Sequence, residues 1–194
     1  MEKVEMNTNM KLSEHLASPS EAALSHSSKL DGLHLSPHFT LGELTKTKHK
    51  TEDGNIPSHV VIENLKRICE NWLEDLRYSY NRLYVWNEEC GMRNENTSTD
   101  ETEPIIINSG YRSPEVNRLA GGSKTSNHLT GCAVDIRCAG KEQMIRYASI
   151  LLDIADGTKQ EFDELLLEQH GSVCWLHFAV KPKDNRRRIA FLKT

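Results

Sequence analysis

Nowhere in the 194 residues is there an apolar run approaching the ~20 residues that a membrane span needs. The opening MEKVEMNTNMKLSEHL has acids among its lysines and no continuous apolar stretch, so no secretory signal is read there. A basic excess is also missing. The formal charge is -4, which argues against a general nucleic-acid binder, and the single basic run, Arg186-Arg187-Arg188, is read as a solvated turn or strand edge. The five cysteines, Cys69, Cys90, Cys132, Cys138 and Cys174, form no CxxC pair and are odd in number. Neither a disulfide framework nor a structural zinc knuckle fits that spacing, and the expected setting is a reduced, cytoplasmic one, at least as synthesised.

What is present suits one domain with polar additions. Hydrophobic residues make up 37% and charged residues 27%, a modest core with unpacked stretches. Residues 1–33 lack sustained periodicity and are expected to be a flexible polar arm, leaving 34–194 as the folded domain. Within it NEECGMRNENTSTDETE, at about 87–103, reads as an acidic surface insertion.

Ser36-Pro37 and Thr40 both offer a start for a short helix through Leu41 and Leu44. From Ser58, Val61, Leu65, Ile68, Trp72 and Leu76 step by four, three, four and four, one apolar face of a long helix. Pro104–Asn108 is β-branched and predicts a buried strand. Ser113-Pro114-Glu115 is a helix start that should run to Gly121-Gly122. Cys132–Cys138 alternates as a strand, Lys141–Asp156 is helical, and Phe162–Glu168 and Cys174–Lys181 predict two strands joined by a tight connection. Arg188–Leu192 predicts a last edge strand. Strands and helices interleave without regular βαβ repetition, so the predicted class is α+β with a mainly antiparallel sheet and flanking helices.

Two polar residues sit where apolar ones belong. Asp135 lies between Val134 and Ile136 in CAVDIRC, and His177 between Leu176 and Phe178 in CWLHFAV. A buried carboxylate without a partner is costly, so Asp135 calls for a cation or strong donors. His128 closes the loop GGSKTSNH seven residues before it. Two imidazoles and a carboxylate suit Zn²⁺ with a fourth position open, which is the catalytic type of site. Cys132, Cys138 and Cys174 flank these residues and are read as small buried side chains.

The stretch SGYRSPEVNRLAGGSKTSNHLTGCAVDI, followed by WLHFAV, resembles the zinc D-alanyl-D-alanine carboxypeptidase family of murein metallopeptidases. That family includes VanX-type dipeptidases and phage endolysins and shares its fold with the hedgehog signalling domain. The resemblance rests on Ser126, His128, Gly131, Ala133 and Asp135 of an SxHxxGxAxD motif, on SGYRS at Ser109–Ser113, and on Trp175 and His177. It implies zinc held by His128, Asp135 and His177, with Arg112 at a substrate carboxylate or oxyanion. Ser126 and Trp175 are then expected to line the substrate site, whose ligand would be a peptidoglycan stem peptide.

One departure bears on catalysis. Many relatives place an acidic general base three residues before the last ligand, and here that residue is Cys174. Glu168 is the expected replacement. With Gly171-Ser172 as a two-residue turn it pairs opposite Trp175 and shares the face of His177; His170 is the second choice. If neither serves, the alternative is a catalytically inactive zinc-binding module that binds wall peptides or a partner protein. An active enzyme of this kind is expected to reach the wall after lysis or assisted release, as a prophage endolysin does, or to trim muropeptides in the cytoplasm. The sequence is silent on oligomeric state and on which bond is cut.

Overall fold

A computed structural model describes residues 32–85 and 102–193. The predicted arm at 1–33 and the acidic insertion at 87–103 therefore lie almost wholly outside the described residues. His34–Ser36 (β1) and Phe39–Thr40 (β2) form a small antiparallel pair. Leu41–Thr45 (α1) follows, capped as its sequence asks: the Thr40 hydroxyl accepts from the Glu43 N–H while the Glu43 carboxylate accepts from the Thr40 N–H.

The long apolar helix starts behind its Ser58 cap as His59–Ile68 (α2) and resumes as Glu74–Tyr80 (α3). Between them Cys69–Leu73 is a π-helical turn, and Asn81–Val85 is another. The wider turn adds a residue locally, so Cys69 and Leu73 join Ile68, Trp72 and Leu76 in the buried stripe. Buried Asn81 then anchors the chain returning from the insertion, donating to the Glu103 carbonyl at 3.0 Å and accepting from its N–H at 2.6 Å.

Five strands build the main sheet: Ile107–Ser109 (β3), Ala133–Cys138 (β4), Glu164–His170 (β5), Val173–Ala179 (β6) and Arg188–Lys193 (β7). Their order is β3-β4-β6-β5-β7, and every pairing is antiparallel except β5 with β7. Pro114–Leu119 (α4) and Lys141–Thr158 (α5) complete the fold. The class is α+β, an antiparallel-dominated sheet with flanking helices.

The strand predicted over Pro104–Asn108 is shorter and lies later. An edge strand is paired on one side only, its register shifts between Ile107 and Ser109, and Ile105 is buried while Ile106 is 43% exposed. A β-branched run thus makes only a brief, bulged edge. The arginine run lies where the sequence places it, on the approach to and at the start of the edge strand β7, with Arg186 and Arg188 exposed. Arg186 is engaged by Asp163, Arg187 by Asp156 and Arg188 by Glu164, because the acids of the neighbouring segment face it.

Alternation divides the sheet into two faces. Val134, Ile136, Leu165, Leu176 and Phe178 enter the helix-covered core, where Trp72 meets Phe178 edge-on at 5.0 Å. The other face carries Asp135, Glu164, Glu168, Trp175 and His177. That face holds the site.

Candidate metal centre

His128, Asp135 and His177 converge although 42 residues separate the last two. Asp135 and His177 are direct cross-strand partners in β4 and β6. His128 arrives from a 3₁₀ turn, Asn127–Thr130, capped by the Ser126 hydroxyl, which accepts from the His128 N–H. That turn ends on Gly131 in the left-handed region, where a Cβ would also lie 2.7 Å from the Val61 carbonyl oxygen. All three side chains are buried, and among the described residues they are the group able to hold a metal.

Their facing atoms are closely spaced. His128 Nε2 is 3.2 Å from Asp135 Oδ1 and 3.3 Å from His177 Nδ1, and His177 Nδ1 is 2.9 Å from the same oxygen. Ligands about 2.0–2.1 Å from a tetrahedral zinc stand about 3.3 Å from one another, so the triangle has the right size for that ion. Its chemistry fits as well: two borderline nitrogens and one carboxylate oxygen, with no sulfur among them.

The remaining atoms of each ligand are held from behind. His128 Nδ1 lies 2.6 Å from the Gly110 carbonyl and must donate to it, which leaves the Nε2 lone pair aimed at the triangle. Asp135 Oδ2 accepts from Arg112 at 2.5 Å, and Arg112 Nε donates to Ser109 Oγ at 2.8 Å. His177 Nε2 lies 3.6 Å from Glu164 Oε2. Burial alone would raise the Asp135 carboxyl, but His128 and His177 hold it well below the carboxylate range. Burial likewise depresses His177, and the Asp135 and Glu164 carboxylates overcome it, lifting the imidazole to about 9.

SGYRS acquires a residue-by-residue account from this geometry. Ser109 steadies Arg112 and Arg112 supports Asp135, while the Gly110 carbonyl orients His128. Gly110 has no room for a side chain: a Cβ would lie 2.3 Å from the Leu44 carbonyl oxygen. Ser113 caps α4 by accepting from the Val116 N–H.

Glu168 stands opposite Trp175, as the predicted hairpin requires, and Leu166 is opposite His177. It therefore shares the face of His177 at a diagonal step of roughly 7–8 Å. Its carboxyl is raised, first by burial and further by Asp135, with His177 and Arg112 acting the other way. His170 is exposed and four residues along β5 from the row of His177, about 13 Å on. Cys174 points to the core face, buried opposite Cys138. No acid at that position could reach the triangle in this register. Cys132 and Cys138 are buried too, outside the cluster, and Cys90 lies outside the described residues.

Two supporting groups were not anticipated from the sequence. The signal for Glu164 is alternation, since Glu164, Leu166 and Glu168 fall on one face of β5. Asp163 has no such signal, because it reads as a strand flank. It is fully buried and bound by Lys181, by Arg186 and by Asn127, the neighbour of His128.

Among the described residues no helix is long and apolar enough to cross a membrane. No curated protein matches the chain. A family model described as Peptidase M15 matches residues 95–159, a third of the chain that contains SGYRS, His128 and Asp135 and stops short of His177. Over that third the chain is similar to the M15 peptidases, and the match includes two of the three residues of the His/Asp/His cluster that could hold a metal ion.

Proposed function

We propose that this protein is a zinc-dependent peptidase hydrolysing amide bonds in peptidoglycan stem peptides, of the D,D-carboxypeptidase or endolysin type. The observation that carries the reading is the closed triangle of His128, Asp135 and His177 with Glu168 on the same sheet face. Bound zinc would supply a Lewis acid that polarises the scissile carbonyl and eases deprotonation of water. The chain's own groups do the rest. Glu168, half-buried with a raised carboxyl, takes the proton of the attacking water and delivers it to the leaving amine. Arg112 fixes Asp135 from behind and, lining the adjoining groove, meets the substrate carboxylate or the developing oxyanion. Trp175, half-buried beside His177 on the site face, is a wall for the peptide, and Ser126 lines the approach to His128.

The test is hydrolysis of defined muropeptides by zinc-loaded protein, with products identified by mass spectrometry. Activity that disappears on chelation and in His128→Ala, and falls about 10²–10⁴-fold in Glu168→Gln with zinc still bound, is the expected result. Stoichiometric zinc with no product from any muropeptide would instead mark a non-catalytic binding module.

A further inference from the structure

A groove of about 570 Å³, within the range of small-ligand sites, is connected to the metal centre through Arg112, which lines it and binds Asp135. One wall is the 46–49 loop, with Lys46, Lys48 and His49; the other includes Ser109, Tyr111 and Arg112. No carboxylate lines it. Lys46 and Lys48 are exposed and have no ion-pair partner among the described residues, although the chain as a whole is acidic at -4. Arg112 is the link between groove and metal centre, but its Nε and one terminal nitrogen are already engaged by Ser109 and Asp135. Additional attraction for an anion therefore falls to the two lysines.

The loop is held in place before any ligand arrives. Buried Asn55 donates to the Thr45 carbonyl at 2.7 Å and to the Tyr111 carbonyl at 3.3 Å, and accepts from the Ser113 N–H at 2.7 Å. The Tyr111 N–H donates to the Leu44 carbonyl at 2.7 Å. One asparagine thus ties the base of the lysine loop to the turn that carries Arg112. A loop anchored at its base avoids part of the ordering cost that a mobile loop would impose on binding.

We infer that this groove is a subsite for a carboxylate on the peptide substrate, with Lys46 and Lys48 as its specificity-determining residues. The inference rests on the peptidase reading for the word substrate, but the subsite itself is testable without turnover. The carboxylate has two possible sources, the C-terminus of the peptide or an acidic side chain.

The probes are N-acetyl-Lys-D-Ala-D-Ala as free acid and C-terminal amide, and N-acetyl-Ala-D-Glu amide against its D-Gln counterpart. Binding to the zinc-loaded full chain is measured by calorimetry in the Glu168→Gln background, with and without Lys46→Ala/Lys48→Ala. At low salt at least one acid is expected to bind about fivefold or more tightly than its neutral partner. The double lysine variant should abolish that gap, as should high salt. The pair that shows the gap identifies the source. Equal binding of both pairs, a gap indifferent to the lysines, or no binding at all would each overturn the subsite. Wild-type hydrolysis is followed in parallel. A lysine-dependent gap without hydrolysis keeps the subsite and removes the peptidase, whereas hydrolysis without a gap does the reverse.

Discussion

Asp135 divides its work between two oxygens. Oδ1 faces both imidazoles and Oδ2 receives Arg112, so the carboxylate cannot rotate without losing one set of contacts. Each imidazole is held in the same manner, by Gly110 behind His128 and by Glu164 behind His177. Such rear contacts fix ring orientation and raise ligand basicity. Replacing Glu164 by Gln should therefore weaken zinc binding about 10–100-fold in a competition titration with a chromophoric chelator. The substitution keeps the side chain's shape, so the thermal midpoint of the metal-free protein provides the control. Unchanged affinity would mean that Glu164 serves only its arginines, Arg186 and Arg188.

At the scale of elements, β4 and β6 set the distance between two ligands, and the turn at Gly110 sets the third. That turn passes so close to α1 that only glycine fits. Gly110→Ala should cost about 1–3 kcal/mol or more as the two segments separate. Gly157, inside α5 with open space around its Cβ position, gives the opposite sign: Gly157→Ala should stabilise by about 0.5–1 kcal/mol. Denaturant unfolding of both variants checks the pair, and a neutral Gly110→Ala would show that this approach is not tight. The elements differ in how well the sequence announces them. The long helix and the hairpin carrying Glu168 and His177 are legible because apolar spacing and a two-residue turn leave one register. The π-helical turns and the bulged β3 are not, since both depend on packing against segments distant in sequence.

For the molecule as a whole, the candidate metal ligands are legible because a carboxylate and an imidazole stand in otherwise apolar strands. The groups behind the ligands were harder to read. A backbone carbonyl such as that of Gly110 has no signature, and the Asp163 cluster joins the end of β6 and the approach to β7 to the His128 turn across 36 residues. That cluster ties the site to global stability. Burial would raise Asp163, but Arg186, Lys181 and Asn127 hold it well below its ordinary range. A carboxyl depressed in the folded state stabilises fully above its unfolded pKa of about 4, and that contribution is lost as pH falls through the folded value. Chemical denaturation between pH 6 and pH 2 should show this loss, and Asp163→Asn should flatten the acid limb while costing about 3–5 kcal/mol at neutral pH. An unaltered acid limb in that variant would assign the loss to other carboxylates.

The ligand set itself can be observed directly by X-ray absorption at the zinc edge of the full, zinc-loaded chain. Two imidazole nitrogens and oxygen donors at about 2.0–2.2 Å, with no sulfur, are expected for His128, Asp135 and His177 with one place left to solvent. Sulfur scattering at about 2.3 Å would put a cysteine on the metal and contradict the assignment, as would a chain that takes up no zinc.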